Sequence, residues 1–223
     1  MRKIRIVAII LFVLAAACLT ACGTKDPYAS RVSDLVDGVY FGSSETVSLT
    51  VTAGRREDPF VLDGAVGDVY PVFTVKIEPV SEFSEAETFS ASVVIGGKTY
   101  ASAARYSPVK KAFVAQFAIP DVTENAIPVT VYRNGESQTV TVQKETDVVS
   151  SDAAIGAAAE ALAENLKRYV TENGFQGEVQ ARLTKVRDTA YWFVCFVPYG
   201  GSRLSALLAA KTGEVLAVKD GSN

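Results

Sequence analysis

The stretch IPVTVYRNGESQTVTV (127–142) sets the expected fold of the middle of this chain. Apolar residues alternate with polar residues on both sides of Asn134-Gly135. Alternation with period two is typical of a strand that buries one face. Asn-Gly between two such runs is a strong signal of a tight hairpin, because both residues tolerate positive φ. The stretch therefore predicts two antiparallel strands.

The same alternation recurs through residues 45–143. Further alternating runs occupy residues 47–51, 69–77, 89–95, 98–104 and 113–119. About seven short strands without a helical period between them predict two packed antiparallel sheets. The expected architecture is an immunoglobulin-like β-sandwich over residues 45–143. The Cys…Trp…Cys spacing of antibody domains is missing, so the expectation concerns the architecture alone.

Residues 150–221 show a different pattern. Ser150-Ser151-Asp152 favours the start of a helix, and apolar residues of AAIGAAAEALAENLKRYV (153–170) fall on one helical stripe. Asn173-Gly174 is the expected end of that helix. An alternating run at 179–184 and apolar segments at 191–197, 203–210 and 215–219 then predict four antiparallel strands. The predicted fold class is mostly β, with the sandwich followed by an α+β module of one helix and a four-stranded sheet.

The first residues, MRKIRIVAIILFVLAAACLTAC (1–22), indicate export. A basic start followed by a short apolar run is typical of a secretory signal. Leu19-Thr20-Ala21-Cys22 resembles the lipobox of bacterial lipoproteins, which has an aliphatic residue, a small residue, Ala or Gly, and then Cys. The resemblance implies a signal peptide over residues 1–21 and a diacylglycerol thioether on Cys22, which would tether the chain to the extracytoplasmic face of the cell membrane. A plain signal peptide and an uncleaved anchor are the alternatives.

Residues 22–44 show little periodic pattern and are predicted to form a tether between the anchor and the sandwich. Loss of residues 1–21 would leave 19 basic and 25 acidic residues, a net charge of −6. An acidic chain argues against a nucleic-acid partner, which requires a basic surface.

The chain contains no histidine, which argues against zinc sites and serine–histidine chemistry, and we expect neither a metal nor a cofactor. Beyond Cys22, the remaining cysteine is Cys195, within YWFVCFVP (191–198). We expect a buried core thiol there, because a catalytic cysteine would need a base.

The segment LLAAKTGEVL (207–216) resembles the last hairpin of PepSY-type domains of secreted and membrane-attached bacterial proteins. YWFV (191–194) is similar to the aromatic strand that precedes that hairpin. The resemblance covers residues 150–221. It implies a module that restrains peptidases or takes part in protein control in the envelope, and it brings no catalytic residue.

Three functional hypotheses follow. The first is a non-enzymatic lipoprotein that binds an extracytoplasmic protein or peptide, with sheet edges supplying the contact. The second is a peptidase inhibitor or regulator that acts through the PepSY-like domain. The third is an envelope enzyme with paired carboxylates, although clusters such as Asp34 with Asp37 are expected to be solvated. Tyr199 and Arg203, around Gly200-Gly201, are the candidate binding residues, because an aromatic residue on a glycine loop can reach a partner. An ordinary hairpin loop is the alternative.

Overall fold

A computed structural model describes residues 26–120 and 122–221. Within these ranges the strands are β1 Val32–Ser43, β2 Val47–Glu57, β3 Val69–Pro79, β4 Phe89–Ile95, β5 Lys98–Ser107, β6 Ala112–Phe117, β7 Ala126–Arg133, β8 Glu136–Lys144, β9 Val170–Thr171, β10 Gly174–Phe175, β11 Gly177–Val186, β12 Thr189–Pro198, β13 Leu204–Ala209 and β14 Val215–Lys219. The α-helices are α1 Ser151–Ala161 and α2 Ala163–Leu166. Among the described residues no helix has the length and hydropathy required to span a bilayer.

Eight strands form a closed antiparallel barrel. Their order is β1-β2-β3-β6-β5-β4-β7-β8, and β1 pairs back with β8 through Tyr40 opposite Lys144. Alternate side chains point inward, and residues such as Phe73, Phe113 and Ile127 are fully buried in the interior. An eight-stranded barrel is just wide enough for its own side chains to fill. The interior is therefore a packed core.

The predicted immunoglobulin-like sandwich is wrong, although the strands expected within residues 45–143 are present as β2–β8. The Asn-Gly hairpin is also confirmed, with φ of 51° at Asn134 and 92° at Gly135. A sandwich keeps two separate sheets, whereas here β1 pairs with both β2 and β8 and closes the sheet. Gly42 permits the closure, because a Cβ at this position would lie 2.8 Å from the carbonyl oxygen of Thr141.

The predicted tether over residues 22–44 is wrong for residues 32–43, which form β1. This strand contributes to two hydrophobic cores. Val32, Leu35 and Val39 pack in the core beneath α1, while Tyr40 packs inside the barrel. Because both faces of β1 are buried, its sequence lacks the period-two alternation that identified its neighbours.

The predicted single helix is interrupted, and its last turn, Lys167–Tyr169, is a 3-10 helix. The predicted cap at Ser150 is confirmed, since its hydroxyl accepts a hydrogen bond of 3.2 Å from the amide of Ala153. Leu162, with φ −107° and ψ 12°, separates α1 from α2. Asn173-Gly174, the expected helix end, instead lies in the β9–β10 hairpin, where Gly174 begins β10.

The four predicted C-terminal strands are present as β11–β14, but they are not a separate module after a sandwich. β11 pairs in parallel with β1, for example Val179 with Val32, and so continues the sheet of the barrel. α1 packs against the sheet face that carries Val179, Trp192 and Leu204. The indole of Trp192 donates a hydrogen bond of 3.1 Å to the carbonyl of Val149. The opposite face of β11–β14 carries the candidate site.

Candidate functional site

The sheet face that points away from α1 contains a groove of about 710 Å³. Strand pairing places Gln180, Cys195, Ser205 and Lys219 in one row across β11, β12, β13 and β14. The groove is lined by Gln180, Phe193, Cys195, Gly201, Ser202, Arg203, Ser205, Lys219 and Gly221. Each strand exposes alternate residues on this face, so the four strands together build a surface that their sequences do not show separately.

The groove combines cationic and apolar groups. The side chains of Arg203 and Lys219 are exposed on its rim. Phe193, at 39% exposure, supplies an aromatic surface between β11 and β13. A positively charged rim with an aromatic floor is complementary to a ligand that carries both a carboxylate and an apolar group.

Cys195 is buried, as predicted, with 5% of its surface exposed. Burial raises the pKa of its thiol above the ordinary value, although the charges of Arg203 and Arg182 act in the opposite direction. A raised thiol pKa keeps the sulfur protonated at neutral pH and makes it a poor nucleophile. Cys195 therefore contributes shape to the groove.

Gln180 is the unusual polar residue of the groove. It is 7% exposed, and its Nε2 atom has no hydrogen-bond partner among the described residues. A buried amide donor without an acceptor costs free energy.

The strand β14 forms a free edge beside the groove. In the described part of the chain it is the terminal strand of the twelve-stranded sheet and pairs only with β13. Leu216 and Val218 are 48% and 51% exposed on it. An exposed apolar edge presents unpaired backbone donors and acceptors to another chain. Lys219 lies on β14 and also lines the groove, so the edge and the groove form one continuous surface.

The expectation that Asp34 is solvated is wrong. Its side chain is 1% exposed, because β1 is an internal strand. One carboxylate oxygen accepts a hydrogen bond of 3.0 Å from Arg56, and the other pairs with Arg182. The ring of Phe60 lies 4.9 Å from the guanidinium carbon of Arg56. Because both oxygens are engaged, Asp34 holds β2 and β11 to β1 and is not placed to act as a general base.

Glu178 holds the loop 58–68 against the sheet. Its fully buried carboxyl group accepts hydrogen bonds from the hydroxyl of Ser33 and, at 3.2 Å, from the amide of Gly64. Burial raises the pKa of Glu178, against the opposing effect of these two hydrogen bonds. Gly64 in turn lies against Tyr199, since a Cβ there would be 2.7 Å from the Tyr199 Cα.

Only one of the two candidate binding residues lines the groove. Arg203 lines the groove, whereas Tyr199 follows the end of β12 and points into solvent with 73% exposure. Cys22, the predicted lipidation site, lies outside the described residues. Sequence reasoning missed Gln180, Phe193 and Lys219, because strand register alone brings them beside Arg203.

Within residues 26–120 and 122–221, no group of three or more Cys, Asp or Glu side chains is arranged to hold a metal ion. Comparisons of the chain with protein-family models, with curated proteins and with solved structures find no match. The groove and the edge of the sheet are therefore the features of this protein from which a function can be inferred.

Proposed function

We propose that this protein is a non-enzymatic lipoprotein that binds an extended segment of an extracytoplasmic protein or peptide along β14. The observation that supports this most directly is the free edge itself, with Leu216 and Val218 exposed. An added strand gains main-chain hydrogen bonds along such an edge and gains specificity from side-chain pockets beside it. The membrane anchor in this proposal rests on the lipobox-like sequence that ends at Cys22.

The groove suggests the chemistry of the partner segment. Alternate side chains of an added strand would face the same side as Ser205 and Lys219. Arg203 and Lys219 favour an acidic side chain there, and Phe193 favours an apolar one. We therefore propose a partner segment in which acidic and apolar residues lie on one face.

Site-specific photo-crosslinking on intact cells tests strand addition. A photoreactive amino acid at Ala217, which is exposed on β14, should give a covalent adduct with the partner. The same group at Val186, which is 60% exposed at the far end of β11, is the matched control and should give none. Equal adducts at the two positions would contradict binding at the edge.

A second experiment adds charge to the edge. Leu216→Lys with Val218→Lys should abolish the adduct from position 217, because lysines on an edge strand disfavour pairing with another strand. Both native side chains are half-exposed, so we expect the circular dichroism spectrum to be unchanged. Val186→Lys is the control substitution and should leave the adduct intact. Adduct formation that persists in the double variant would rule out strand addition at β14.

The anchor is tested at Cys22. Cys22→Ala should leave residues 1–21 uncleaved and unmodified, because the lipid and the cleavage site depend on the same thiol. Mass spectrometry of the N-terminal peptide of the native protein should show a diacylglyceryl cysteine. An unmodified native N-terminal peptide would contradict the anchor and leave the edge-binding proposal intact.

A further inference from the structure

The first described residues pack at one end of the β11–β12 hairpin. The ring of Tyr28 lies 5.4 Å from that of Phe175 and 5.2 Å from that of Phe196, centroid to centroid. The carbonyl of Pro27 accepts a hydrogen bond of 3.1 Å from the amide of Phe175. Pro27 and Tyr28 are therefore packed against the body. Any tether that begins at Cys22 consists of the short segment before Pro27.

The length of that segment limits the distance between a lipid on Cys22 and the body. Pro27 is the fifth residue after Cys22. An extended chain spans at most about 3.6 Å per residue, so the reach is about 18 Å. A lipid on Cys22 would consequently hold this end of the hairpin close to the bilayer surface.

Tyr199 lies at the same end. Its amide donates a hydrogen bond of 3.0 Å to the carbonyl of Gln176, the residue after Phe175. Two hydrogen bonds and the two residues Phe175 and Gln176 thus connect Pro27 to Tyr199, a path of at most about 13 Å. Val186, at the opposite end of the hairpin, is separated from Tyr199 by the length of β12, about 33 Å.

The side chain of Tyr199 is suited to a membrane interface. It is 73% exposed, which is the highest exposure of any aromatic residue in the described part of the chain. Tyrosine has an apolar ring with a polar hydroxyl, and it is enriched where hydrocarbon meets water. Exposed charges of both signs occur at this end, since Asp26 and Glu172 line a pocket with Pro27 and Gly174, and Arg203 lies four residues after Tyr199. Contact would therefore depend on the ring and not on attraction to anionic lipid.

We infer that this end of the hairpin rests on the phospholipid bilayer, with the ring of Tyr199 in the headgroup region. This inference rests on the proposed anchor at Cys22. It also places the end of the groove formed by Arg203 and Lys219 near the membrane, because Lys219 ends β14 beside the start of β13. The segment that binds β14 would then lie close to the bilayer.

Tryptophan fluorescence tests this orientation in the full-length lipidated protein. The native Trp192 is 1% exposed and gives a constant background. Tyr199→Trp and Val186→Trp place a second tryptophan on an exposed site at either end of the hairpin. Both proteins are reconstituted into phosphatidylcholine vesicles with or without brominated acyl chains, which quench nearby indoles. Flotation of the vesicles is measured first.

We expect both proteins to float with the vesicles. Brominated lipid should quench the added indole of the Tyr199→Trp protein at least about twice as strongly as the added indole of the Val186→Trp protein. The reason is that interfacial aromatic rings lie near the acyl boundary. If both proteins float but their added indoles are quenched equally or not at all, the orientation is wrong and the anchor stands. The Tyr199 surface would then be available to a protein. Failure to float would overturn the anchor and, with it, the orientation.

Discussion

At the scale of single residues, Glu178 links pH to stability. Its pKa in the folded protein is raised by burial, with the charges of Glu57 and Asp63 acting in the same direction. The folded state therefore binds more protons than the unfolded state from the ordinary glutamate pKa of about 4.3 up to the raised value. Across this window the free energy of unfolding should fall as pH rises.

The variant Glu178→Gln should remove that dependence. A glutamine keeps an acceptor for the amide of Gly64 and has no proton to lose. We expect it to match the native protein near pH 4 and to exceed its stability at pH 7. Urea unfolding across this range is the measurement. If the free energy of unfolding of the variant falls with pH as steeply as that of the native protein, the burial of the Glu178 carboxyl is not the cause of the pH dependence.

Asp34 should contribute to stability through its two arginines. Asp34→Asn removes a buried charge and leaves Arg56 and Arg182 without their counter-ion. Because both arginines are about one-third exposed, we expect a loss of about 2 kcal/mol, below the usual cost of breaking a fully buried pair. Asp37→Asn is the matched control on the same strand. This residue is exposed, and a change within about 0.5 kcal/mol is expected. Equal effects of the two substitutions in urea unfolding would contradict the assignment.

At the scale of elements, the predictability of each strand depended on how many of its faces are buried. β2 and β4 have one buried face, so period two is visible in their sequences. β1 buries residues toward both cores, and Gly38 and Gly42 interrupt its apolar pattern. Barrel closure depends on β1. Because β1 was not predicted from the sequence, the predicted fold class was wrong.

The helix and the groove show the same limit of sequence-based prediction, because local signals are visible in one segment and tertiary contacts are not. The cap at Ser150 is local and could be predicted, whereas the break at Leu162 depends on packing beneath the sheet. Arg203 could be predicted as a candidate binding residue because it follows the Gly200-Gly201 loop. Gln180 and Lys219 reach the groove through the pairing of β11 to β14, which no single segment encodes.

The seam between β1 and β8 should be sensitive to one methyl group. In Gly42→Ala the new Cβ would press on the backbone of β8, and we expect a loss of about 2 kcal/mol. Gly156→Ala is the contrasting control. This glycine lies on α1 with no atom within 4 Å of an added Cβ, so alanine should stabilise by about 0.5–1 kcal/mol. Hydrogen exchange should show faster opening of β1 and β8 amides in Gly42→Ala. Unchanged exchange would contradict the tight contact.

At the scale of the whole molecule, β1 joins the two cores. Leu35 packs under α1 and Tyr40 packs inside the barrel, on one continuous strand that pairs with β2, β8 and β11. A rupture of either core would therefore release a strand that the other core requires. We infer that the barrel and the β11–β14 region unfold together.

Leu35→Ala tests this coupling. The substitution removes buried methyl groups from the core beneath α1 alone, at a cost of about 2–4 kcal/mol. Trp192 fluorescence reports that core, and far-UV circular dichroism reports the whole twelve-stranded sheet, of which the barrel supplies eight strands. In urea, both signals should change at the same concentration in the native protein, and both should shift by the same amount in the variant. A shift of the Trp192 transition alone would show that the barrel is stable without the second core, and that β1 does not couple them.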